Sequence, residues 1–279
     1  MTVKRKRFVK ILIVIFCIAL IYIAWHFYNQ TLSFHIPEYE KTDISQILKK
    51  DLLTDDDYML IFKNTGVSPG AAKDMIENDQ SDVLIELNNL YFTKPEIYKN
   101  YIAYPVTLEE QNKTQVTPLV PLKKGDILVT FNTQTLEWRH GHCGLVMDDD
   151  GRIILEHAAI GHTSGLSNSS VWGEYPAFAV LRYPDPEVSS KAADYANENL
   201  IDIDYRITAG VIDKDKTGED NPVSHCSHIV WQAYKSVGVD IDADKSFIVS
   251  PKDVALSPEL EVVQIFGIDP KDYESRIIK

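Results

Sequence analysis

The sequence predicts an α+β domain built on an antiparallel sheet, with one helix carrying Cys226, preceded by a transmembrane helix and a small helical region. Three observations predict it. A nearly unbroken apolar run from Ile11 to Tyr28 follows a basic cluster. From Pro118 to Tyr183 short apolar runs alternate with turn residues, the texture of strands. Late in the chain, Ser224-His225-Cys226-Ser227-His228 leads into Ile229, Val230, Ala233, Tyr234 and Val237 at helical spacing, stopped by Gly238. Strands early and the helix late suit α+β better than a regular βαβ alternation.

Residues 1–10 read as a basic cytoplasmic tail, with Lys4, Arg5, Lys6, Arg7 and Lys10 and no acid. Residues 11–29 read as the anchor, the run from Phe8 to Tyr28 being long enough to cross a bilayer as a helix. The flanking positive charge keeps that end in the cytoplasm, and Tyr22, Trp25 and Tyr28 suit an interfacial aromatic belt. No small-x-small cleavage site follows, which favours an uncleaved anchor over a removed signal peptide. The expectation is a single-pass protein of the cell membrane, with everything after the anchor outside. Cys17 lies in this run behind bulky Phe16, where lipid attachment calls for a small residue.

Residues 30–112 read as a helical membrane-proximal region. Asp43 to Leu48 opens a short helical pattern, and Thr54-Asp55-Asp56-Asp57 has the form of an N-cap followed by first-turn acids. Pro69-Gly70-Ala71-Ala72 opens another helix, and Asp82 to Phe92 continues the pattern. Residues 113–279 form the main domain. Gly125–Phe131, Gly141–Met147, Arg152–Ala159 and Phe178–Tyr183 read as strands, with a turn at Asp148-Asp149-Asp150-Gly151 and a helix over Ser189–Leu200.

Charge narrows the partners. The chain of 279 residues has a formal net charge of −13. Beyond residue 30 it carries 23 of the 28 basic residues and all 41 acidic ones, a net charge of −18. A body this acidic lacks the basic footprint of a nucleic-acid binder. With Cys17 in the apolar run, only Cys143 and Cys226 remain, too few for a disulfide scaffold although a single bridge is possible by count.

Chemistry points to Cys226. A thiol at a helix start lies near unpaired N–H groups and the positive end of the dipole, which favours the thiolate, and flanking imidazoles act in the same direction. A cysteine nucleophile needs a base and a group to orient that base. His142, in Arg139-His140-Gly141-His142-Cys143-Gly144-Leu145-Val146, is the best base. Period-two alternation puts His142, Gly144 and Val146 on one face, with room beside the imidazole at Gly144 for another chain or a substrate, and turns Cys143 to the other. The third residue depends on hairpin register. A three-residue connection, 149–151, sets Gly144 opposite Glu156 and brings Glu156 diagonally near His142. A four-residue connection, 148–151, sets His157 opposite His142 instead. A one-residue slip reverses the face, so periodicity leaves both open. Glu156 amid Ile153-Ile154-Leu155 is a carboxylate in apolar company, costly unless it has a partner.

Several short motifs in order carry a resemblance. Pro121-Leu122-Lys123-Lys124-Gly125-Asp126-Ile127-Leu128, then His142-Cys143-Gly144-Leu145-Val146, then Leu155-Glu156, then His225-Cys226-Ser227-His228-Ile229-Val230-Trp231 resemble the NlpC-type papain-like cysteine hydrolases. The order His, Glu, Cys is similar to their circularly permuted YiiX/YebB-like branch, as is Ser250 to Pro258. The likeness covers about residues 118–265. It implies a permuted papain-like domain, Cys226 as nucleophile, His142 as general base and Glu156 as orienting residue, with no cofactor. Tyr205, His157 and His225 are the further candidates for contacting substrate, which the likeness implies to be cell-wall peptide or N-acyl amide. Departures from the pattern are His225 and His228, where relatives commonly carry other residues, and His157, where a small residue is usual. Two other readings stand beside it: a zinc site built from His140, His142, Glu156 or His157, and Cys226, and a catalytically silent wall-binding module.

Overall fold

A computed structural model describes residues 3–29, 34–210, 223–273 and 276. The chain opens with α1 (Val3–Asn29), which runs through the basic cluster as well as the apolar run. Arg7–Ala24 has a mean hydropathy of 2.5, and none of that window is buried. A core helix would be covered by protein; this one leaves Ile11, Val14, Phe16 and Ile21 bare, and it is long and apolar enough to span a membrane. A signal sequence near an N-terminus has the same length and composition. Trp25 and Tyr28, expected in an aromatic belt, lie outside the described side chains.

Three helices follow: α2 (Asp55–Thr65), α3 (Pro69–Glu77) and α4 (Ser81–Leu90). Thr54 accepts from the Asp57 N–H while the Asp57 carboxylate accepts from the Thr54 N–H, a reciprocal cap at the start of α2. Ser68 caps α3, with Pro69 in its first turn, where a missing N–H costs nothing. The expectation of a wholly helical stretch to residue 112 fails for its last part. β1 (Ile97–Ala103) and β2 (Thr107–Asn112) form an antiparallel hairpin instead.

The remaining strands are β3 (Ile127–Thr130), β4 (Thr133–Thr135), β5 (Trp138–Arg139), β6 (His142–Val146), β7 (Ile153–Glu156), β8 (Gly165–Asn168) and β9 (Phe178–Arg182). Then come α5 (Pro186–Asn199), β10 (Asp204–Tyr205), β11 (Val223–Ser224), α6 (Cys226–Ser236), α7 (Pro251–Ala255) and β12 (Glu261–Phe266). Among the described residues the main sheet runs β12-β9-β3-β6-β7-β8, antiparallel throughout. β2 pairs with β4 and β4 with β5, so the hairpin of the second segment is hydrogen-bonded into the third.

Alternation along the central strands sorts the core into two layers. Ile127, Val129, Cys143, Leu145, Leu155, Ala179 and Leu181 face α5 and α6. Leu128, Val146, Ile154, Phe178 and Val180 face the other way, onto Ile61, Met75, Leu84 and Leu87 of α2–α4. This is why residues 30–112 do not stand apart from the domain. Strands apolar on both faces need cover on both, and α2–α4 supply the second cover.

Candidate active site

Gly141 turns the chain into β6 with φ +82°, and a Cβ there would come within 2.7 Å of the Thr130 carbonyl oxygen. His142 is therefore the first residue of the strand, at the end of the sheet rather than under its middle. The register is Gly144 opposite Glu156, so the three-residue connection is the one that forms. His142 Nε2 and Glu156 Oε2 are 2.8 Å apart. Cys226 is the other side chain that acts on the His142 ring.

The space beside His142 is filled by the chain itself. Trp172 stacks on the imidazole with centroids 5.4 Å apart and planes 13° apart. A Cβ on residue 144 would lie 2.7 Å from Trp172 Cζ2 and 2.5 Å from Ile154 Cγ2, so the glycine is what admits the indole. Trp172 was not singled out by sequence reasoning; the signal was the small residue two positions from the base.

Cys226 opens α6. The cap is His225, whose Nδ1 accepts from the His228 N–H at 3.4 Å. Ser227 Oγ donates to the Val249 carbonyl at 2.8 Å and ties the helix start to the loop before α7. Burial alone would raise the Cys226 thiol. The interaction with and charge of His142, then the Cys143 N–H, outweigh it and hold the thiol below its ordinary value of 9.0. Burial alone would likewise lower His142; its bonds to Cys226 and Glu156 and their charges carry it well above 6.5. Burial would raise Glu156, and the bond and charge of His142 bring it down. The three directions describe a thiolate–imidazolium pair backed by a carboxylate. His225 does not share in this, contrary to expectation. Burial, then repulsion from His228, His157 and His140, holds His225 well below 6.5 and so neutral.

Of the other predicted contacts, Tyr205 and His225 line the cleft at Cys226. His157 does not. It is fully buried, its ring edge-on to Tyr205 at 4.9 Å, and burial lowers it to about 4. It sits on the opposite side of β7 from Glu156 because successive strand residues face opposite ways. The cleft has a volume of about 240 Å³ and is also lined by Trp138, Ile207, Ile248 and Ser250. A larger cavity of about 560 Å³, lined by Phe34, Phe131, Leu256 and Tyr273, shares Arg139 and Lys252 with it as walls. Cys226 borders the smaller space alone. Arg139 is held by Glu110 through two bonds, 2.9 and 3.0 Å.

Among the described residues the structure does not gather the histidine set into a metal-ligand cluster. Both His140 nitrogens are engaged, Nε2 with Thr135 Oγ1 at 2.8 Å and Nδ1 with the Gly141 carbonyl at 2.6 Å. Among the described residues, the group of three whose ligand atoms lie within 4.8 Å of one another is Asp242, Asp244 and Asp253, not the histidine set. Cys143 and Cys226 are free thiols, so no bridge joins them.

The sequence was compared with protein-family models and with curated proteins, and nothing matched in either comparison.

Proposed function

We propose that this chain is a cysteine hydrolase, a peptidase or amidase of the permuted papain-like kind, anchored in the cell membrane by α1. In this reading the N-terminus is cytoplasmic, the domain works outside, and the substrate is a cell-wall peptide or N-acyl amide. The observation that carries the reading is the convergence of Cys226, His142 and Glu156, from a helix start and two adjacent strands, with the thiol lowered and the imidazole raised.

The Cys226 thiolate attacks the substrate carbonyl, forming a carbon–sulfur bond and an oxyanion. In this mechanism the N–H groups at the start of α6 that His225 does not cap stabilise that oxyanion. As the intermediate collapses the carbon–nitrogen bond breaks, and the imidazolium of His142 gives its proton to the departing amine. Water then attacks the thioester, His142 takes its proton, and the acid leaves with the thiol restored. Glu156 keeps Nε2 of His142 occupied throughout and stabilises the imidazolium. The neighbouring cavity across Arg139 and Lys252 suits a substrate longer than a single residue.

The test is mass spectrometry of the full chain incubated with peptidoglycan fragments and with acyl amides. An acyl adduct on Cys226, absent from Cys226→Ala, is expected. An adduct on Cys143, or none with either substrate class, overturns the assignment.

A further inference from the structure

One buried carboxyl near the triad has no part in the chemistry above. Glu109 lies on β2, opposite Thr133 of β4, and is 9% exposed. Tyr175 donates its hydroxyl to Glu109 Oε1 at 2.5 Å, and Gln111 Nε2 donates to Oε2 at 3.4 Å. The Tyr175 ring meets Trp172 edge-on with centroids 5.4 Å apart, and Trp172 is the indole stacked on His142. Glu109 is thus tied through two aromatic rings to the base, and it is close enough that the charges of His142 and Glu156 both act on it.

We propose that Glu109 is a positioning residue for the triad: a second buried carboxyl that holds the His142 ring through Tyr175 and Trp172, and whose charge sets how far toward alkaline pH His142 stays protonated. The inference rests on the catalytic reading of Cys226.

Burial pushes Glu109 above the usual carboxylate range. The Tyr175 hydroxyl and His142 draw it back, while Glu156 and Glu174 push it further up. Below that raised value the carboxyl is neutral, and Glu156 alone balances the imidazolium. Once pH passes the raised value, a second negative charge stands beside His142 and opposes loss of its proton. Tyr175, Glu174, His142 and Glu156 are the titratable groups acting on this carboxyl.

The experiment follows alkylation of Cys226 by iodoacetate against pH in the full chain in detergent, resolved from Cys17 and Cys143 by peptide mass spectrometry. An anionic reagent is drawn by the imidazolium, so its rate falls as His142 loses its proton. In Glu109→Gln, nearly isosteric and uncharged, the descending limb should move down by about 1 pH unit. In Glu109→Asp, which keeps the charge, the limb should return most of the way to wild type. A merely structural role predicts the reverse order, since the shorter aspartate disturbs packing more than glutamine. A limb unchanged in Glu109→Gln, or moved more in Glu109→Asp, overturns the proposal. Should Glu109→Gln not fold, Tyr175→Phe removes the donor that favours the charged carboxyl and should move the limb the same way by less; no movement overturns the proposal equally. A wild-type chain with no reactive Cys226 thiolate near neutral pH overturns the catalytic reading together with this one. A normal thiolate indifferent to Glu109 overturns this one alone.

Discussion

Cys143, in the middle of a strand, and Cys226, at the start of a helix, are 0% and 5% exposed, and burial acts on both thiols in the same direction. At Cys143 nothing opposes it. The thiol lies among Leu145, Leu155 and Ile229 in the core, and Cys226 and Asp253 add repulsion, so it stays well above 9.0. At Cys226 the same penalty is overcome by an imidazolium and a backbone N–H. The N–H belongs to Cys143, whose own side chain points into the core. Reactivity is thus decided by which donors are aimed at the sulfur, not by how much water reaches it.

The sharpest way to break this contrast is His142→Ala. With the imidazolium gone, burial is the leading influence on Cys226, and its thiol should rise toward the behaviour of Cys143. Substrate turnover should fall by roughly 10²–10⁴-fold, the scale of a lost acid–base residue. The pH profile of Cys226 alkylation checks the cause. In the wild type the ascending limb should lie below 9.0, because the folded thiol is lowered. The descending limb should lie above 6.5, because His142 is raised. In His142→Ala the ascending limb should move up and the descending limb should vanish. Stability follows the same signs. The His142 contribution is complete below 6.5 and is lost as pH rises through its raised folded value. The Cys226 contribution is complete above 9.0 and is lost as pH falls through its lowered folded value.

A smaller effect is expected from Gly144→Ala, which leaves both thiols in place and disturbs the base alone. The added methyl meets Trp172 and Ile154, so the indole must shift off the imidazole. Overpacking of this kind costs about 1–3 kcal/mol. Chemical denaturation should register it, and kcat should fall more than KM rises, because the ring moves and the cleft lining does not. An unchanged kcat in a destabilised protein would separate the stack from the chemistry.

How much of this was legible beforehand depended on whether the signal was local. The four strands over Gly125–Tyr183 and the helix at Cys226 form within a few residues of their expected ends, because each carries its own periodicity. That His142 and Cys143 face opposite sides of the strand followed from alternation alone. The choice between Glu156 and His157 did not, since a single residue in the turn inverts the face. The membrane-proximal segment was the hardest. α2–α4 have their own helical patterns, but nothing local says that they cover the back of a distant sheet. Glu109 sits in Thr107-Leu108-Glu109-Glu110-Gln111-Asn112, which reads as exposed and polar although four of its six residues are buried carboxylates and amides. The distant partners of Glu109 and Glu110 are Tyr175, Asn132 and Arg139, 22 or more residues away. Non-local pairing of that kind leaves no mark on a short window of sequence.

Cys143→Ala carries the smallest expected effect, and it completes the contrast from the inert side. Removing one buried sulfur atom takes away about a methylene's worth of packing and leaves a void that Leu145 and Leu155 can only partly fill, a cost of about 1 kcal/mol. The backbone is unchanged, so the Cys143 N–H still reaches the Cys226 sulfur. The thiol itself adds only a weak repulsive influence, so the Cys226 ascending limb should stay where it was. Turnover per folded molecule should match wild type while the urea midpoint drops. If turnover falls with the midpoint, the core thiol contributes to the chemistry and the two cysteines are not the opposites their environments make them. If Cys143→Ser behaves worse than Cys143→Ala, the added penalty is that of a hydroxyl buried among apolar side chains without a partner, and the stability of the site depends on the sulfur only as a filler.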